Sequence, residues 1–232
     1  MTMKVVDRSA WLAERTALLA EERALTAARD RVAELRRRLP VVRVDPEYRF
    51  ATERGEETLL DLFKGRGQLI VSHFMFGHDW QEGCPNCSFW ADSYSGIDVH
   101  LAARDTAFVT VSSAPLERLL AYRARMGWRF DWVSAIGPAF GHDFEVSYPD
   151  RKEGEPRRYN YREVTNGNEM PGISVLVRLD DGGIGHSYST YGRGLDPMNS
   201  AYQLLDLTPA GRSESGLPWP TAWLRRRDSY GT

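Results

Sequence analysis

The chain has 232 residues, of which 42% are hydrophobic and 27% charged, values typical of an ordinary globular protein. Its 30 basic and 32 acidic side chains leave a net charge of −2, so no overall positive field favours nucleic acid as a partner. The sequence has no apolar run of the roughly 18 residues that a membrane span requires, and its charged N-terminus does not resemble an export signal. These features predict a cytoplasmic protein that binds neither nucleic acid nor membranes.

Residues 9–39 have the pattern of one long amphipathic helix. Large apolar side chains recur there at intervals of seven: Trp11, Leu18, Leu25, Val32 and Leu39. Ser9 can cap the start, and Pro40 cannot continue the helix because proline has no backbone N–H. The stripe can pack on the chain's own domain or, since its register holds over four periods, on the same helix of a second copy in a homodimer. We expect an N-terminal helical extension at 1–40 and a domain at 41–232.

Residues 41–126 alternate between strand and helix patterns. In chain order they predict a hairpin broken at Asp45-Pro46 and Arg54-Gly55, a helical turn at 58–63, strands at 68–76 and 107–112, and helices at 84–104 and 115–126. The two strands are nearly continuous apolar runs, as in sheets that are covered on both faces. The order strand–helix–strand–helix is typical of a parallel α/β unit.

The C-terminal half has weaker signals. In chain order they predict strands at 144–146 and 158–161, a hairpin of strands at 173–179 and 184–191, and a helix at 195–207. An irregular tail follows from Thr208, and we expect its Trp219 and Trp223 to pack on the body of the protein.

Cys84 and Cys87 are the two cysteines of the chain, three residues apart at a predicted strand–loop–helix junction. A thiol at a helix N-terminus faces unpaired backbone N–H groups and the positive end of the helix dipole, which favour the thiolate. Pro85 fits the first helical position, where its missing N–H is not needed. A second thiol three residues on lies on the same helix face, within reach of a mixed disulfide. The pattern predicts Cys84 as the nucleophile and Cys87 as the resolving thiol.

Two other interpretations of the pair stay open. The thiols can be inert, or they can hold a metal ion. A closed zinc site is disfavoured because no second Cys-x-x-Cys supplies the remaining ligands. An open copper site, as in a metallochaperone, can combine Cys84 and Cys87 with His73 or His186. The main expectation is that the protein binds neither a metal nor another cofactor. Nucleotide cofactors in particular are not indicated, because no glycine-rich phosphate loop follows a predicted strand.

Long segments around and beyond the cysteine pair resemble a bacterial family catalogued as domain of unknown function 899. They include HFMFGHDWQEGCPNCSFW, DWVSAIGPAFGHDFEVSY, HSYSTYGRGLD and PWPTAWLRRRDSY, so the resemblance covers most of the chain. It implies an α/β fold with a thioredoxin-like central sheet flanked by helices, a long N-terminal helix, an N-terminal hairpin and an irregular C-terminal extension. Family members are often described as predicted dithiol–disulfide oxidoreductases, and the resemblance implies the same activity here.

Pro171 is a candidate substrate-pocket residue on the basis of this resemblance. Thioredoxin-like proteins usually place a cis-proline directly before the strand that faces the cysteines. If that strand starts at Ser174, Ile173 or Gly172 occupies the usual proline position instead. The sequence leaves both the position and the isomer of Pro171 open.

Four polar or aromatic residues close to the motif are further pocket candidates. His73, in the strand before the cysteines, can be a satisfied core residue or a proton donor or ligand near the thiols. Strict alternation along this strand places His73 on the same sheet face as Leu69. In the following loop, His78 and Asp79 can tune the charge of the thiol, and Trp80 can form one wall of a cleft.

His186 and Tyr188, in the last predicted strand, complete the pocket candidates. Strict alternation would place both of them on one face with Thr190 and would place Ser187 and Ser189 on the opposite face. One of these faces can line a pocket, although a solvated sheet face explains the same pattern.

The sequence therefore predicts a thiol–disulfide oxidoreductase whose substrate is a thiol or disulfide, either a small molecule or a protein. A peroxiredoxin-like peroxide reductase is a close alternative, because the N-terminal hairpin and the segment TLLDLFKGRGQLIV are similar to the entry to peroxiredoxin-type domains. A copper-binding protein and a fold recruited for unrelated small-molecule chemistry are the remaining alternatives.

Overall fold

A computed structural model describes residues 3–44, 47–152 and 154–231. The predicted break at Asp45-Pro46 lies outside these residues. The chain divides into two compact units, 1–40 and 41–232. Within the described ranges, no helix combines the length and the apolar character needed to cross a membrane.

The first unit is built around one helix, α1 (Arg8–Arg37), close to the predicted bounds. Asp7 caps its start, since the Asp7 carboxylate accepts a 2.8 Å hydrogen bond from the backbone N–H of Ala10. Ser9, the predicted cap, lies inside the helix and donates its hydroxyl to Asp7. No described residue of α1 is buried. The five apolar residues that recur at intervals of seven are each 41–53% exposed: Trp11, Leu18, Leu25, Val32 and Leu39.

The second unit is built on an eight-stranded sheet with a separate two-stranded hairpin. The strands are β1 (Val42–Val44), β2 (Arg49–Thr52), β3 (Gly55–Thr58), β4 (Gln68–His73), β5 (Thr106–Ser112), β6 (Trp132–Ile136), β7 (Arg157–Tyr159), β8 (Arg162–Val164), β9 (Gly172–Arg178) and β10 (Ile184–Tyr191). In the sheet their order is β1-β10-β9-β4-β5-β6-β2-β3, and β7 pairs with β8. β2 and β3 form the predicted N-terminal hairpin.

The centre of the sheet is parallel, and its borders are antiparallel. β4 pairs in parallel with β5, and β5 with β6, whereas β9 runs antiparallel to β4 and β10 antiparallel to β9. The helices of this unit are α2 (Pro85–Ala91), α3 (Asp98–Ala102), α4 (Leu116–Arg125), α5 (Ala139–Asp143) and α6 (Ser200–Leu205). This architecture confirms the predicted α/β fold with a thioredoxin-like central sheet.

Side chains of β4 point alternately to the two faces of the sheet, and those on each face join a hydrophobic core. Leu69 and Val71 belong to the core on one face, and the ring of His73 joins that side. Ile70 and Phe74 contribute to the aromatic core on the other face. The faces are those that alternation predicts, although β4 ends at His73 and not at the predicted residue 76.

The helix predicted over 84–104 is two shorter helices. α2 ends at Ala91 and α3 begins at Asp98. Gly96 lies between them with a φ of 87°, a left-handed conformation that an α-helix does not contain and that glycine adopts readily. The break confines the helix that carries the cysteines to two turns.

Two predicted strands are also corrected, and β6 was not predicted at all. At 144–146 the chain has just left α5, and Glu145 adopts a left-handed φ of 57°, so no strand forms there. At 158–161 the chain makes the β7–β8 hairpin, because Asn160 and Tyr161 both take left-handed backbone conformations that suit a tight two-residue turn.

The helix predicted over 195–207 is also interrupted. A 3-10 segment, Gly192–Met198, contains Pro197 and is followed by α6. Asn199 caps α6 by accepting a 2.9 Å hydrogen bond from the backbone N–H of Tyr202. Proline cannot donate the backbone hydrogen bond of a regular helix, so the chain restarts its helix at the Asn199 cap.

Candidate active site

Cys84 and Cys87 lie where the chain enters α2 from the loop after β4. Cys84 is the N-cap residue and Pro85 is the first helical residue, as the sequence predicts. The backbone N–H of Cys84 donates a 3.0 Å hydrogen bond to the carbonyl of Met75, which ties the motif to the segment leaving the sheet. Both cysteines are free thiols; Cys84 is half-buried and Cys87 is buried.

The two thiols have opposite acid–base environments. A hydrogen bond from the Cys87 thiol, helped by the backbone N–H groups of Cys87 and Asn86 and by the charge of Arg226, lowers the pKa of Cys84 to about 7 against the opposing effect of burial. Burial, together with the neighbouring Cys84, raises the pKa of Cys87 well above its ordinary value. The Cys87 sulfur also accepts a 3.4 Å hydrogen bond from the backbone N–H of Met75. Near neutral pH, a large share of Cys84 is therefore thiolate, whereas Cys87 stays a thiol.

Arg226, from the C-terminal tail, clamps the cysteine loop. Its guanidinium donates to the carbonyl of Gly83 (2.8 Å) and to the hydroxyl of Tyr122 (2.9 Å), and pairs with Glu82 (2.9 Å). The Tyr122 hydroxyl in turn lies 2.9 Å from that of Ser88. Ser88 donates to the carbonyl of Cys84, also at 2.9 Å. The tail thereby holds both the loop before Cys84 and the first turn of α2.

A cavity of about 780 Å³ opens beside Cys87, and Cys87 and Asn86 form part of its wall. Six aromatic residues line other parts of the wall: Phe74, Trp90, Tyr94, Tyr159, Tyr202 and Trp219. Pro171 and Gly172 also belong to this wall. A volume of this size is typical of small-molecule sites.

Pro171 directly precedes β9, which starts at Gly172 and so begins earlier than the Ser174 start considered above. The peptide bond before Pro171 is trans. The carbonyl of Pro171 accepts a 2.8 Å hydrogen bond from the hydroxyl of Tyr159. Pro171 thus occupies the place, although not the isomer, that the resemblance leads one to expect.

His73 is the end of a buried hydrogen-bond chain that crosses three strands. Its Nε2 lies 2.8 Å from the Ser174 hydroxyl, which lies 2.7 Å from the Ser189 hydroxyl. Nε2 of His186 lies 2.7 Å from the same Ser189 oxygen. Burial, and to a smaller degree the nearby His186, lowers the pKa of His73 to about 3, and burial lowers that of His186. Both imidazoles are therefore neutral at physiological pH. The buried hydrogen-bond chain gives the Nε2 atom of His73 a partner within the core.

The face predicted for His186 is wrong, because β10 has a bulge between His186 and Tyr188. The bulge adds one residue to the alternation, so His186 shares a face with Ser189 and Tyr191 instead of with Tyr188. Tyr188 pairs with Val175 of β9 and is not part of the cavity wall.

Glu169 is a buried carboxylate that the sequence analysis did not identify. It accepts hydrogen bonds from the hydroxyls of Ser147 (2.6 Å) and Ser113 (2.9 Å). Burial raises the pKa of Glu169 against the effect of these two bonds. A smaller cavity of about 240 Å³ is lined by Glu169 and by His73, which also lines the cavity beside Cys87.

The loop candidates His78, Asp79 and Trp80 do not meet the thiols. His78 and Asp79 bond to each other at 3.1 Å, with 69% and 97% of their side chains exposed. Trp80 is 40% exposed, and none of the three belongs to the wall of the cavity beside Cys87. His78 instead lines the smaller cavity.

The copper-site alternative has no support in the described part of the chain. No three His, Cys, Asp or Glu side chains are clustered there in a way that could hold a metal ion. The Nε2 atoms of His73 and His186 are already engaged by Ser174 and Ser189. The proposed set of Cys84, Cys87, His73 and His186 is therefore not assembled.

The model of a bacterial family of unknown function, DUF899, matches residues 1–230. The chain belongs to this family. No curated protein matches this chain. Among solved structures, the peroxidoxin BcpB from Mycobacterium tuberculosis is similar over 72% of this chain and 97% of its own, with 11% identity and a TM-score of 0.47. A PrxQ variant from Xylella fastidiosa is similar over 72% and 96%, with 9% identity and a TM-score of 0.46.

A yeast mitochondrial peroxiredoxin is a further similar structure, over 71% of this DUF899 chain and 77% of its own, with 13% identity and a TM-score of 0.44. All three are redox proteins by name. With identities below 25% and TM-scores below 0.5, these likenesses support no conclusion about the function of this DUF899 protein.

Proposed function

We propose that this DUF899 protein is a cytoplasmic dithiol–disulfide oxidoreductase in which Cys84 attacks the substrate and Cys87 resolves the intermediate. The observation that carries the proposal is that the pKa values of two neighbouring free thiols at a helix N-terminus shift in opposite directions. A reactive thiolate beside a buried, protonated partner is what an ordered two-step exchange requires.

The reaction follows from these protonation states. The Cys84 thiolate attacks one sulfur of a disulfide R–S–S–R, forming Cys84–S–S–R and releasing one thiolate, RS⁻. Cys87 then gives up its proton and attacks the Cys84 sulfur, so that the second RS⁻ leaves and a Cys84–Cys87 disulfide forms. The protein loses two electrons and the substrate gains two. A thiol reductant restores the dithiol.

Trapping experiments test the division of roles. Cys87→Ser keeps the attacking thiolate but removes the resolving thiol, so mixed disulfides should accumulate at Cys84 when a disulfide substrate is added. Cys84→Ser is the matched control, and it should trap far fewer because the pKa of Cys87 is raised. Mass spectrometry of the modified peptides measures both. Equal trapping by the two variants would mean that neither thiol is the dedicated nucleophile.

We also propose that α1 pairs with the α1 of a second copy. The exposed stripe repeats every seven residues, which matches the seam of a coiled coil. Oppositely charged side chains flank it, as in the Arg15–Glu22 ion pair (2.8 Å), whose two residues are also seven apart. An oligomeric partner of identical sequence supplies a stripe of the same period.

A further inference from the structure

The cavity beside Cys87 is closed on one side by the chain's own C-terminal segment. The indole N–H of Trp90, on α2, donates to the carbonyl of Leu195 at 2.8 Å. The side chain of Asn199 donates to the carbonyl of Phe89 at 3.2 Å. The ring of Trp223 meets that of Phe89 at 5.6 Å, edge to face. This side of the cysteine helix is therefore covered by residues of the same chain, and a partly open cavity takes the place of a flat surface on which a protein could dock.

The charged side chains in the cavity wall are already paired with one another. Arg212 lies between Asp196 (2.8 Å) and Asp206 (2.7 Å) and stacks 3.9 Å above the ring of Tyr202. The hydroxyl of Tyr202 donates to Glu214 at 2.7 Å. Their mutual pairing leaves these groups with little to offer an ionic ligand.

The balance of charge in the wall further disfavours an anion. Three carboxylates (Asp196, Asp206 and Glu214) stand against two guanidinium groups (Arg193 and Arg212). The other titratable groups in the wall do not reverse this balance, since His73 is neutral at its lowered pKa and Cys87 is protonated at its raised one. An anionic ligand would gain no net attraction from this wall.

We infer that this cavity, whose wall includes Cys87 but not Cys84, holds the organic body of a neutral, ring-bearing small molecule, which makes the substrate of the cysteine pair a small organic compound and not a protein. That a ligand of this kind binds is inferred from the cavity alone. That this ligand is the substrate of the cysteine pair rests on the proposed function. Aromatic walls favour flat or ring-containing groups, because stacked and edge-to-face contacts add to the burial of apolar area. The volume of about 780 Å³ accommodates a molecule of two or three rings.

Two bond types in such a molecule can oxidise the pair. A neutral disulfide reacts by the two-step exchange with Cys84 and Cys87, and solvent protonates both thiolate products. In a neutral hydroperoxide R–O–O–H, the Cys84 thiolate takes the terminal oxygen to give Cys84–S–OH, and RO⁻ leaves and is protonated to ROH. The Cys87 thiol then displaces that oxygen as water, giving the same Cys84–Cys87 disulfide.

Binding is tested first in the full chain carrying Cys84→Ser and Cys87→Ser, which cannot react. The probe is dipyridyl disulfide, which is neutral and has two rings, followed by calorimetry or equilibrium dialysis. We expect Thr221→Trp, which places a large ring in the cavity wall, to weaken binding at least about tenfold. Leu207→Trp is the matched control, since Leu207 is 80% exposed and outside the wall, and it should leave binding unchanged.

Charge selectivity and turnover complete the test. The dianionic Ellman disulfide should bind the same unreactive chain more weakly than dipyridyl disulfide. In the otherwise native chain, Thr221→Trp should lower kcat/KM at least about tenfold, through KM, for dipyridyl disulfide or for cumene hydroperoxide, and should leave oxidation by hydrogen peroxide nearly unchanged. Whichever of the two bulky probes shows the effect identifies the bond type.

The results separate the cavity from the chemistry. Binding of dipyridyl disulfide that ignores Thr221→Trp, or equal binding of the anionic and neutral disulfides, would overturn the inference. If binding depends on Thr221 but no oxidant converts Cys84 and Cys87 to a disulfide, the cavity is a ligand site and the proposed function is wrong.

Discussion

The pKa values of Cys84 and Cys87 shift in opposite directions because the surroundings of the two thiols differ over a single turn of α2. Cys84 receives hydrogen bonds at the helix N-terminus, whereas Cys87 is buried among apolar side chains. The sequence predicts this difference, since it depends on the spacing of the cysteines and on Pro85. It does not predict Arg226, because that residue is 142 positions from Cys84 and reaches the site only through tertiary structure.

Arg226 is a positioning residue for Cys84, and its replacement should shift the pH dependence of the thiol. In the wild type, alkylation of Cys84 should be half-maximal near pH 7, the value to which its pKa is lowered. Arg226→Gln removes a nearby positive charge and the clamp on Gly83, so the pKa should rise and alkylation at neutral pH should slow roughly two- to threefold. The measurement is the rate of iodoacetamide labelling at Cys84 against pH.

Arg227→Gln is the control for this prediction. Arg227 lies next to Arg226 in the tail but pairs with Asp92 at 3.3 Å and does not contribute to the lowered pKa of Cys84. Arg226→Lys, which keeps the charge, should restore part of the wild-type pH profile. An Arg226→Gln profile that coincides with the wild type would exclude an electrostatic role for this arginine.

At the scale of elements, β4, β9 and β10 are joined by the buried chain from His73 to His186. The sequence predicts β4, β5, the β9–β10 hairpin and α4 close to their observed bounds, since each has a strong apolar pattern or clear flanking signals. It fails where a single residue's backbone conformation decides the outcome, as at Gly96 and Glu145. It also cannot foresee the bulge in β10, which sets the face of His186.

His73→Phe should destabilise the protein without altering Cys84. The substitution leaves the buried hydroxyl of Ser174 without its imidazole partner, at a cost of about 1–3 kcal/mol in the free energy of unfolding. Adding Ser174→Ala removes the hydroxyl that has lost its imidazole partner and should recover part of that loss, since Ser189 keeps its bond to His186. Urea unfolding measures the stability, and iodoacetamide labelling measures Cys84. Slower labelling of Cys84 in a folded His73→Phe protein would give His73 a role in the chemistry.

The same residue gives a pH prediction. The pKa of His73 falls from 6.5 to about 3 on folding, so the unfolded chain binds the extra proton between these two values. The contribution of His73 to stability is fully present above about pH 6.5 and is lost as the pH falls toward 3. His73→Phe should therefore show a shallower acid limb than the wild type in urea unfolding measured across this window. Parallel acid limbs would contradict the assignment of a neutral, buried His73.

At the scale of the whole molecule, the exposed apolar stripe of α1 predicts pairing with a second copy of the chain. If two copies pair through it, the protein should sediment as a dimer, and Leu18→Glu with Leu25→Glu should convert it to a monomer by placing charges in the seam. The control is Ala20→Glu with Ala27→Glu, which has the same spacing and charge on the opposite side of the helix and should remain dimeric. A wild-type protein that sediments as a monomer over the full concentration range would refute the pairing.

The most direct test of the central claim is peptide mapping by mass spectrometry after titration with a disulfide oxidant. We predict that one equivalent of oxidant converts Cys84 and Cys87 of the wild type to a single intramolecular disulfide, that dithiothreitol reverses it, and that the oxidised protein contains no stoichiometric metal. Two thiols that stay unlinked, or that form only bonds between chains, while the protein remains folded, would contradict a dithiol–disulfide cycle at this site.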